Sequence, residues 1–353
     1  MCLEDPGEDA RWTKGIRLVT MVDVARHAGV SVMTVSNVVN ERRYVSSQTR
    51  AKVLESITAL GYSVNTTARN LRQGRTGVIG LAVPEIDRPY FGLLCALMTE
   101  RAAQYGYALV IEQTGSRRES EMAAIRHARL RSYDGLFIHA NQLTENDIPL
   151  LRSDYPVVVL GERIYSTPVD HIVMDDEAGG AIAASHLIER GCRSVAMVGG
   201  RVGEPGELDV ATLRTKGFLA AVEENGPGFA RPRLSATAYG LAESRRALHE
   251  LFAADSGIDG IFCATDTVAF GVLRGLADLG VRVPEDVKVV GFDNVPECAY
   301  STPSLTSVAP DHDGMVSAGM RLLMERLSGE RAAGDYREIV GRVGLAVRET
   351  TGV

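Results

Sequence analysis

The sequence predicts an N-terminal all-α helix-turn-helix headpiece followed by an α/β body of two doubly wound parallel-sheet subdomains. Three observations predict this architecture. Three short helical segments separated by turn residues lie close together near the N-terminus. Beyond residue 77, short apolar runs alternate with amphipathic stretches, and these runs lack the alternation of a half-exposed strand. The basic residues are concentrated in the first part of the chain.

The charge of the chain is divided unevenly. The chain has 353 residues, 45% of them hydrophobic, and a net charge of −7. Residues 11–75 contain eleven Lys or Arg against three acids, a balance of +8. Residues 1–10 carry −4, which leaves −11 for residues 76–353. A basic module joined to a larger acidic one indicates a region that binds a polyanion and a body that does not.

Several classes of protein are disfavoured by the sequence. It contains no apolar run of about 18 residues and no basic-then-apolar N-terminal signal, so we expect neither a membrane span nor export. The five cysteines are widely spaced without a C-x-x-C, which predicts reduced thiols and no thiolate metal site. The sequence lacks the common motifs of catalytic nucleophiles, zinc sites, phosphate-binding loops and dinucleotide-binding folds. We therefore expect a cytoplasmic protein that is not an enzyme and needs no cofactor or metal.

Three helices are predicted near the N-terminus. A flexible tail over residues 1–19 comes first, because this stretch shows no periodicity of apolar residues. The helices are predicted over 21–28, 32–40 and 47–60. Residues typical of helix ends bound them, namely Thr20, Gly29, Ser31 and Gly61.

The first two of these helices have the composition of a helix-turn-helix. Two short helices that cross at a wide angle need a small residue inside the first, a glycine at the turn and a β-branched residue inside the second. Ala25, Gly29 and Val35 stand at these positions. The start of the second helix then projects outward, where side chains can read base edges in the major groove. Because residues 11–75 are also strongly basic, this helix-turn-helix pattern predicts a DNA-binding headpiece over 20–64.

These residues resemble a known family. The run Thr20-x-x-Asp23-Val-Ala-x-x-Ala-Gly-Val-Ser31-x-x-Thr34-Val-Ser36-x-Val-x-Asn40 is similar to the headpiece of the lactose/galactose repressor (LacI/GalR) family of bacterial transcription regulators. The later run Leu60-Gly61-Tyr62-x-x-Asn65 and the α/β body are similar to that family as well. The resemblance implies a homodimer that binds a palindromic double-stranded operator, together with a small-molecule effector.

The resemblance assigns roles to individual headpiece residues. Val32, Met33 and Asn37 match the positions that read bases, and the amide of Asn37 offers the donor and acceptor that suit an adenine edge. The positions that hold phosphates or cap helices are matched by Thr20, Ser31, Thr34, Ser36, Asn40, Ser46 and Thr49.

A connector over 65–77 matches the family's hinge helix. A helix of seven residues is unstable alone in water, so we expect it to form on DNA. Within it, Ala68, Arg69 and Leu71 are expected to contact DNA, with Leu71 wedged between base pairs from the minor groove. The alternative is that Leu71 packs on the body.

The body is predicted from residue 78 onward. Strands are predicted over 78–83, 108–111, 135–138, 157–160, 172–174, 195–198, 260–263 and 287–290. Helices are predicted over 90–105, 119–131, 177–190, 212–224, 243–253 and 267–279. Strands buried on both faces form parallel sheets covered by helices, and eight such units exceed one typical sheet. The resemblance implies a periplasmic-binding-protein-like body, with an N-lobe (78–174 and 310–338) and a C-lobe (175–309 and 339–353).

Ligand-binding residues are expected beyond the carboxyl ends of the strands. Tyr90 and Phe91 follow the first strand of the body, and their rings could stack on a ligand. The resemblance implies that Arg214 grips a hydroxyl pair or a carboxylate and that Asp293 is its acceptor partner. A purely structural Arg–Asp pair is the alternative. Further expected cleft residues are Asp176, Tyr239, Thr265 and Asp266.

Taken together, the residues and the resemblance predict a DNA-binding transcriptional regulator, a repressor controlled by a sugar or related metabolite bound between two lobes. It is expected to act in the cytoplasm on the nucleoid. A palindrome that spans a helical turn needs two headpieces, and the absence of heptads before Val353 favours a dimer over a tetramer. The alternative is a two-lobed solute-binding or sugar-processing protein with an appended DNA-binding head.

Overall fold

The computed structural model divides the chain into two compact units, Met1–Gly74 and Arg75–Val353. The boundary lies inside the predicted connector. The structure describes residues 19–39, 42, 44–62, 75–130, 132–151, 155–161, 169–204, 209–225, 231–332 and 334–352. Most of the predicted tail, most of the predicted connector and Asn40 lie outside these residues.

The first unit contains three helices in the predicted places. They are α1 (Met21–Ala28), α2 (Val32–Val39) and α3 (Ser47–Leu60). A capping box begins α1, because the Asp23 amide donates to Thr20 Oγ1 (3.3 Å) and the Thr20 amide donates to Asp23 Oδ2 (3.0 Å). Gly29 ends α1 with a φ of 62°, a left-handed conformation that glycine adopts without steric cost.

A small apolar core holds these helices together. Its buried members are Val24, Ala25, Ala28, Val35, Val38, Val53 and Tyr62. Ala25 and Val35 are thus at the crossing of α1 and α2, as the sequence predicts. Val19, the last residue of the predicted tail, also packs against this core. The apolar side chain of Val19 is partly buried by packing on the helices.

The second unit contains two six-stranded sheets. The strands are β1 (Val78–Val83), β2 (Ala108–Gln113), β3 (Gly135–His139), β4 (Val157–Leu160), β5 (Asp170–Met174), β6 (Val195–Val198), β7 (Arg233–Ser235), β8 (Gly260–Cys263), β9 (Lys288–Phe292), β10 (Thr306–Pro310), β11 (Glu338–Gly341) and β12 (Val343–Ala346). Their orders are β11-β5-β4-β3-β1-β2 and β12-β10-β9-β8-β6-β7. Among the residues that the structure describes, these strands pair in parallel except for the antiparallel pair β10–β12.

Helices cover the faces of both sheets, as expected for parallel strands. They are α4 (Pro89–Gln104), α5 (Arg118–Arg129), α6 (Ile148–Leu151), α7 (Asp176–Glu189), α8 (Val210–Glu224), α9 (Leu241–Ala254), α10 (Asp266–Asp278) and α11 (His312–Ser328). Short 3₁₀ turns follow at Glu145–Asp147, Pro296–Ala299 and Glu349–Thr351. Every predicted strand and helix of the body is present with ends within two residues of the prediction.

Some elements were not predicted from the sequence. They are β7, β10, β11 and β12, together with α6 and α11. The strands have three to five residues each, and α11 contains Gly314 and Gly319, which weaken the helical signal. In the structure α11 covers the first sheet, where Val316 and Met320 join the core formed by Phe137 and Val158.

The chain passes between the two lobes at three places. The first sheet and its helices form the N-lobe, and the second sheet and its helices form the C-lobe. The crossings follow β5, β10 and β11, because β11 pairs with β5 in the first sheet whereas β12 pairs with β10 in the second. The third crossing is therefore at Arg342, and the prediction that residues 339–341 belong to the C-lobe is wrong. A short strand at a sheet edge gives too weak a sequence signal to place this crossing.

Two glycines bring α7 and α8 into direct backbone contact. A Cβ on Gly180 would lie 2.1 Å from the carbonyl oxygen of Arg214, and a Cβ on Gly217 would lie 1.8 Å from that of Glu177. Only residues without a Cβ allow this close approach. The contact fixes α8, which carries Arg214, against the start of α7, which carries Asp176.

Candidate functional site

The N-terminal half of α2 presents a mixed apolar and polar surface. Met33 is 70% exposed and Val32 is 43% exposed, although neither is needed for the core of the headpiece. Ser31 is also exposed, whereas Thr34, Ser36 and Asn37 are partly exposed on the same helix. Apolar side chains in such a position lose contact with water when they pack on thymine methyl groups or sugars. The structure therefore leaves the predicted base-reading residues accessible.

Hydroxyl groups order the backbone at the starts of α2 and α3. Ser31 Oγ accepts from the Thr34 amide (3.1 Å), and Ser46 Oγ accepts from the Thr49 amide (3.2 Å). Each serine hydroxyl also lies 2.9 Å from the threonine hydroxyl three residues later. A helix N-terminus with exposed hydroxyls favours phosphate through its unpaired amides and its dipole. Thr20 occupies the equivalent position before α1.

Four predicted DNA-contacting residues cannot be placed. Asn40, Ala68, Arg69 and Leu71 lie outside the described residues, so their predicted roles stay predictions. Arg50 is described, and its guanidinium donates to the carbonyl oxygens of Val38 (3.4 Å) and Arg42 (3.0 Å). This side chain joins α3 to the segment that follows α2 and fixes the orientation of α2 in the headpiece.

A cavity of about 330 Å³ lies between the two lobes of the body. It opens at the carboxyl ends of the parallel strands, where ligands of open α/β folds bind. The N-lobe contributes Tyr90 and Phe91 at the start of α4, and the C-lobe contributes Arg214, Tyr239, Thr265 and Asp293. Six of the eight predicted ligand-binding residues thus line one cavity.

Arg214 is the central charged group of this cavity. Its side chain is 3% exposed, and Nε donates to Asp176 Oδ1 (2.6 Å). Nη1 donates to the carbonyl oxygen of Ala264 and lies 3.8 Å from Asp293 Oδ1. The guanidinium carbon is 3.3 Å from the centre of the Phe292 ring, a cation–π contact. These contacts hold the fork of Arg214 in one orientation.

The closest carboxylate partner of Arg214 is Asp176, and Asp293, its expected partner in ligand binding, lies farther away. The Asp176 side chain is fully buried and is not among the residues that line the cavity. Its role in the structure is to orient Arg214 from behind. Asp293 lies at the cavity wall, and burial raises the pKa of its carboxyl group well above the usual range, although Arg214 opposes this shift.

The backbone around Asp293 is held in an unusual conformation. Asp293 has a φ of 112° and Asn294 a φ of 49°, in the region that favours glycine. Asp266 holds this turn, because its Oδ2 accepts from the Val295 amide (2.9 Å) and its Oδ1 from Ser307 Oγ (2.6 Å). Asp266 is fully buried and does not line the cavity, so the structure places it behind the site. Strain of this kind is concentrated at functional sites.

Tyr239 also has a left-handed backbone, with a φ of 56°. Its hydroxyl donates to the carbonyl oxygen of Gly199 (3.1 Å), and burial raises its pKa to about 12. The ring stands at the cavity wall together with Thr265, whose hydroxyl caps α10 by accepting from the Val268 amide (3.2 Å). Both side chains therefore keep fixed positions beside Arg214.

Sequence reasoning missed several residues of the N-lobe wall. His139 and Asn141 line the cavity after β3, and His139 Nδ1 lies 3.1 Å from Asn141 Oδ1. Because a carboxamide oxygen only accepts, this contact places the ring proton on Nδ1. His312 lines the cavity at the start of α11 and its Nε2 donates to the carbonyl oxygen of Asp293 (2.6 Å). His139 directly follows a predicted buried strand, and this position is the feature of the sequence that could have identified it as a cavity residue.

Acidification is expected to destabilise the body through His139. Burial lowers the pKa of His139 to about 4, whereas an unfolded histidine titrates near pH 6.5. The unfolded chain therefore binds the proton first, and stability is lost as the pH falls below about 6.5. Between pH 6.5 and pH 5 the loss amounts to about 2 kcal/mol. Urea unfolding of the wild type and of His139→Gln at pH 7, 6 and 5 measures this effect, and equal pH slopes for both proteins would contradict it.

Membrane-spanning helices and metal-binding clusters are absent from the part of the chain that the structure describes. Within the described ranges, none of the helices has the length and apolar character needed to span a bilayer. In the same ranges, no group of three or more His, Cys, Asp or Glu side chains is arranged to hold a metal ion.

A helix-turn-helix with an accessible second helix, joined to a two-lobed body with a cavity, defines a DNA-binding transcriptional regulator.

Comparison with known proteins identifies the family. Residues 20–65 match the family described as bacterial regulatory proteins, lacI family, and residues 184–351 match a periplasmic binding protein-like domain. The ribose operon repressor of Halalkalibacterium halodurans is 32% identical over 335 residues, covering 95% of this chain and 97% of the relative. The chain belongs to the lacI family of bacterial regulatory proteins, as its headpiece residues predict.

Solved structures give the same result. The lac repressor dimer bound to operator and the anti-inducer ONPF is 26% identical with a TM-score of 0.77, and the match covers 95% of this chain and 99% of that one. A lacI family regulator from Enterococcus faecium with bound ribose is 25% identical with a TM-score of 0.66, covering 77% and 98%. The predicted fold class, a helix-turn-helix headpiece with a periplasmic-binding-protein-like body, is confirmed.

Proposed function

We propose that this regulator is a homodimeric repressor whose affinity for a palindromic operator is controlled by a sugar or related metabolite bound between the lobes. The observation that carries the proposal is the cavity, to which both lobes contribute side chains around the oriented guanidinium of Arg214. The repressor relatives and the ribose-bound structure support the effector class. In this proposal the protein acts in the cytoplasm on nucleoid DNA and releases its effector chemically unchanged.

The polar side chains that line the cavity suit hydroxyl groups. Arg214 can donate to a ligand oxygen, and Asp293, whose buried carboxyl group has a raised pKa, can donate or accept. Tyr90 offers a ring face at the start of α4, on which the apolar face of a sugar can stack. Vicinal hydroxyls match this set of groups better than a single charge does.

Lobe closure is the step that would connect the ligand with DNA. A ligand that contacts both walls binds more tightly when the lobes are closed, and it therefore shifts the population toward closure. The three crossings after β5, β10 and β11 allow such a motion, because few residues connect the lobes. The connector over 65–77 would transmit the change to the headpieces of the dimer.

Asn37→Ala is expected to relax the base preference at one symmetric pair of operator positions. Loss of the amide removes a bidentate contact, which costs about 1–3 kcal/mol of discrimination per half-site. Binding of random DNA is expected to change little, because it depends on phosphates. Selection of binding sites from a random pool, followed by fluorescence anisotropy on single-base variants, measures the effect.

Thr58→Ala is the matched control for this substitution. Thr58 is exposed near the end of α3, and its hydroxyl donates to the carbonyl oxygen of Leu54 (3.1 Å) within the same helix. This variant should keep the wild-type preference at every position. An unchanged preference in Asn37→Ala would remove its assigned role. Failure of the wild type to select any sequence from the pool would overturn the proposed function.

A further inference from the structure

A buried carboxylate on α5 holds the loop that follows β3. Glu121 is 0% exposed and lies in the first turn of α5. Its Oε1 accepts from the amides of Asn141 (3.0 Å) and Gln142 (3.1 Å), and its Oε2 accepts from those of Gln142 (3.1 Å) and Leu143 (3.0 Å). Both oxygens accept from amides, which is the arrangement that suits an ionised carboxylate. We name residues 140–143 the β3 loop.

The β3 loop depends on this partner because the chain forms no α-helix directly after β3. The strand in the corresponding position of the second sheet is β8, and it leads straight into α10, where the Thr265 hydroxyl accepts from the Val268 amide (3.2 Å). After β3 the chain first forms the 3₁₀ turn Glu145–Asp147. Successive amides that converge form a binding place for an anion, and in the β3 loop this anion is the side chain of Glu121.

The β3 loop is part of the cavity wall, although Glu121 is not. Ala140, Asn141 and Gln142 line the cavity next to His139, the last residue of β3. Asn141 is held at both ends of its carboxamide, since Oδ1 lies 3.1 Å from His139 Nδ1 and Nδ2 donates to Ser116 Oγ (3.0 Å). Glu121 therefore acts on the cavity through the backbone of Asn141.

The ring of His139 is fixed by packing, and its proton is fixed by Asn141. Phe91 meets the ring edge to face, with 5.0 Å between ring centres and an angle of 88°. A Cβ at Gly161 would lie 2.9 Å from the ring Cε1, so the backbone there also presses on the ring. These contacts are the same for either neutral tautomer. The oxygen of Asn141 selects the Nδ1–H tautomer, which leaves the lone pair of Nε2 as an acceptor.

We propose that Glu121 is a positioning residue for effector recognition, which holds Asn141 in place and thereby keeps His139 as a hydrogen-bond acceptor through Nε2. This inference rests on the proposed function and adds one requirement to it, that the effector has a donor group for this nitrogen. A hydroxyl or an amine N–H meets the requirement. In the other tautomer Nε2 would donate instead, and the same wall would favour an acceptor such as a carbonyl or ether oxygen.

Nitrogen NMR of the full chain with isotopically labelled histidine tests the positioning step without an effector. Protonated and unprotonated ring nitrogens have distinct chemical shifts, and His139→Gln identifies the signals of His139 among the seven histidines. At pH 7 we expect the wild type to hold His139 in the Nδ1–H tautomer and Glu121→Gln to give a mixture of both tautomers. The amide group of the introduced glutamine faces backbone N–H groups with a donor, so the loop loses part of its support. An Nε2–H tautomer in the wild type overturns the proposal.

A second variant reaches Asn141 from the other side. Ser116→Gly removes the hydroxyl that accepts from Asn141 Nδ2, and it suits the backbone, because Ser116 has a φ of 49°. It should also give a mixture of tautomers, and it decides the question if Glu121→Gln does not fold. Glu119→Gln is the matched control, since Glu119 is an exposed glutamate in the same first turn of α5. The proposal is wrong if the ring signals of His139 are unchanged in both Glu121→Gln and Ser116→Gly.

Isothermal titration calorimetry connects the positioning step with the ligand. The probes are ribose, glucose, galactose and cellobiose, titrated into the full chain of the wild type and of both glutamine variants. A sugar that binds the wild type should bind Glu121→Gln at least about tenfold more weakly and Glu119→Gln unchanged. Equal affinities in all three proteins overturn the role of Glu121 in recognition and leave the proposed function standing. Binding of no probe by the wild type overturns the sugar effector, while the ring signals still decide whether Glu121 positions His139.

Discussion

Arg214→Ala is expected to lower the free energy of unfolding of the body by about 3–5 kcal/mol. The substitution leaves the carboxylate of Asp176 buried without its ion-pair partner, since Asp176 Oδ1 receives its hydrogen bond from Arg214 Nε (2.6 Å). It also removes the cation–π contact with Phe292. Urea unfolding of the full chain at pH 7, followed by circular dichroism, measures the change.

Arg245→Ala is the matched control for this substitution. Arg245 also pairs with an aspartate, Asp278, but its side chain is 49% exposed, so solvent screens the interaction and the loss should be small. The double variant Arg214→Ala with Asp176→Asn should recover part of the stability, because the buried charge is then gone. Equal stability of Arg214→Ala and Arg245→Ala would show that the buried pair does not support the fold.

The structural role of Arg214 changes how its functional test is designed. A loss of effector response in Arg214→Ala could come from the lost contact with the ligand or from the loosened start of α7. Arg214→Ala should therefore be compared with Asp176→Asn, which disturbs the support of the guanidinium while leaving it in the cavity. Operator binding by the headpiece is the readout that both variants should retain at temperatures below their unfolding transitions.

Gly217→Ala is expected to lower the free energy of unfolding by about 3 kcal/mol, at the upper end of the usual cost of overpacking. The added Cβ would lie 1.8 Å from the carbonyl oxygen of Glu177, which is backbone and cannot rotate away. The helices α7 and α8 must then separate, and Arg214 moves with α8. Differential scanning calorimetry compares the variant with the wild type.

The control is a substitution at Gly92, where alanine is expected to raise the free energy of unfolding rather than lower it. Gly92 lies inside α4, where an added Cβ has its nearest neighbour at 3.8 Å, an ordinary contact. Gly92→Ala should raise stability by up to about 1 kcal/mol, since alanine is the better helix former. A destabilised Gly92→Ala together with an unaffected Gly217→Ala would contradict the close packing of α7 on α8.

The headpiece illustrates how much local sequence can determine. Thr20, Gly29 and Ser31 act through contacts within three or four residues, so the ends of α1 and α2 are readable from the sequence. The crossing of the two helices is also local, because Ala25 and Val35 are ten residues apart. The predicted strands and helices of the body follow from patterns of the same short range.

The cavity has features that the sequence alone does not determine. The sequence left open whether Arg214 forms a structural pair with an aspartate, and in the structure it pairs with Asp176, 38 residues earlier in the chain. The choice depends on the glycine contact between α7 and α8, which no pattern in either helix reveals. The apolar part of the N-lobe wall is similar, since Leu94 and Met98 carry the ordinary signal of a buried helix face, and they line the cavity only because α11 and the first sheet leave space beside them.

The order of amino acids alone determined the helix-turn-helix, the alternation of strands and helices, and the family, because each depends on residues that are near one another in the chain. The tertiary structure decided the third crossing between the lobes, the partner of Arg214, the placement of Asp266 behind the site, and the shape and polarity of the cavity. These depend on which distant segments pack together, and packing is set by the fit of whole elements rather than by any short run of residues.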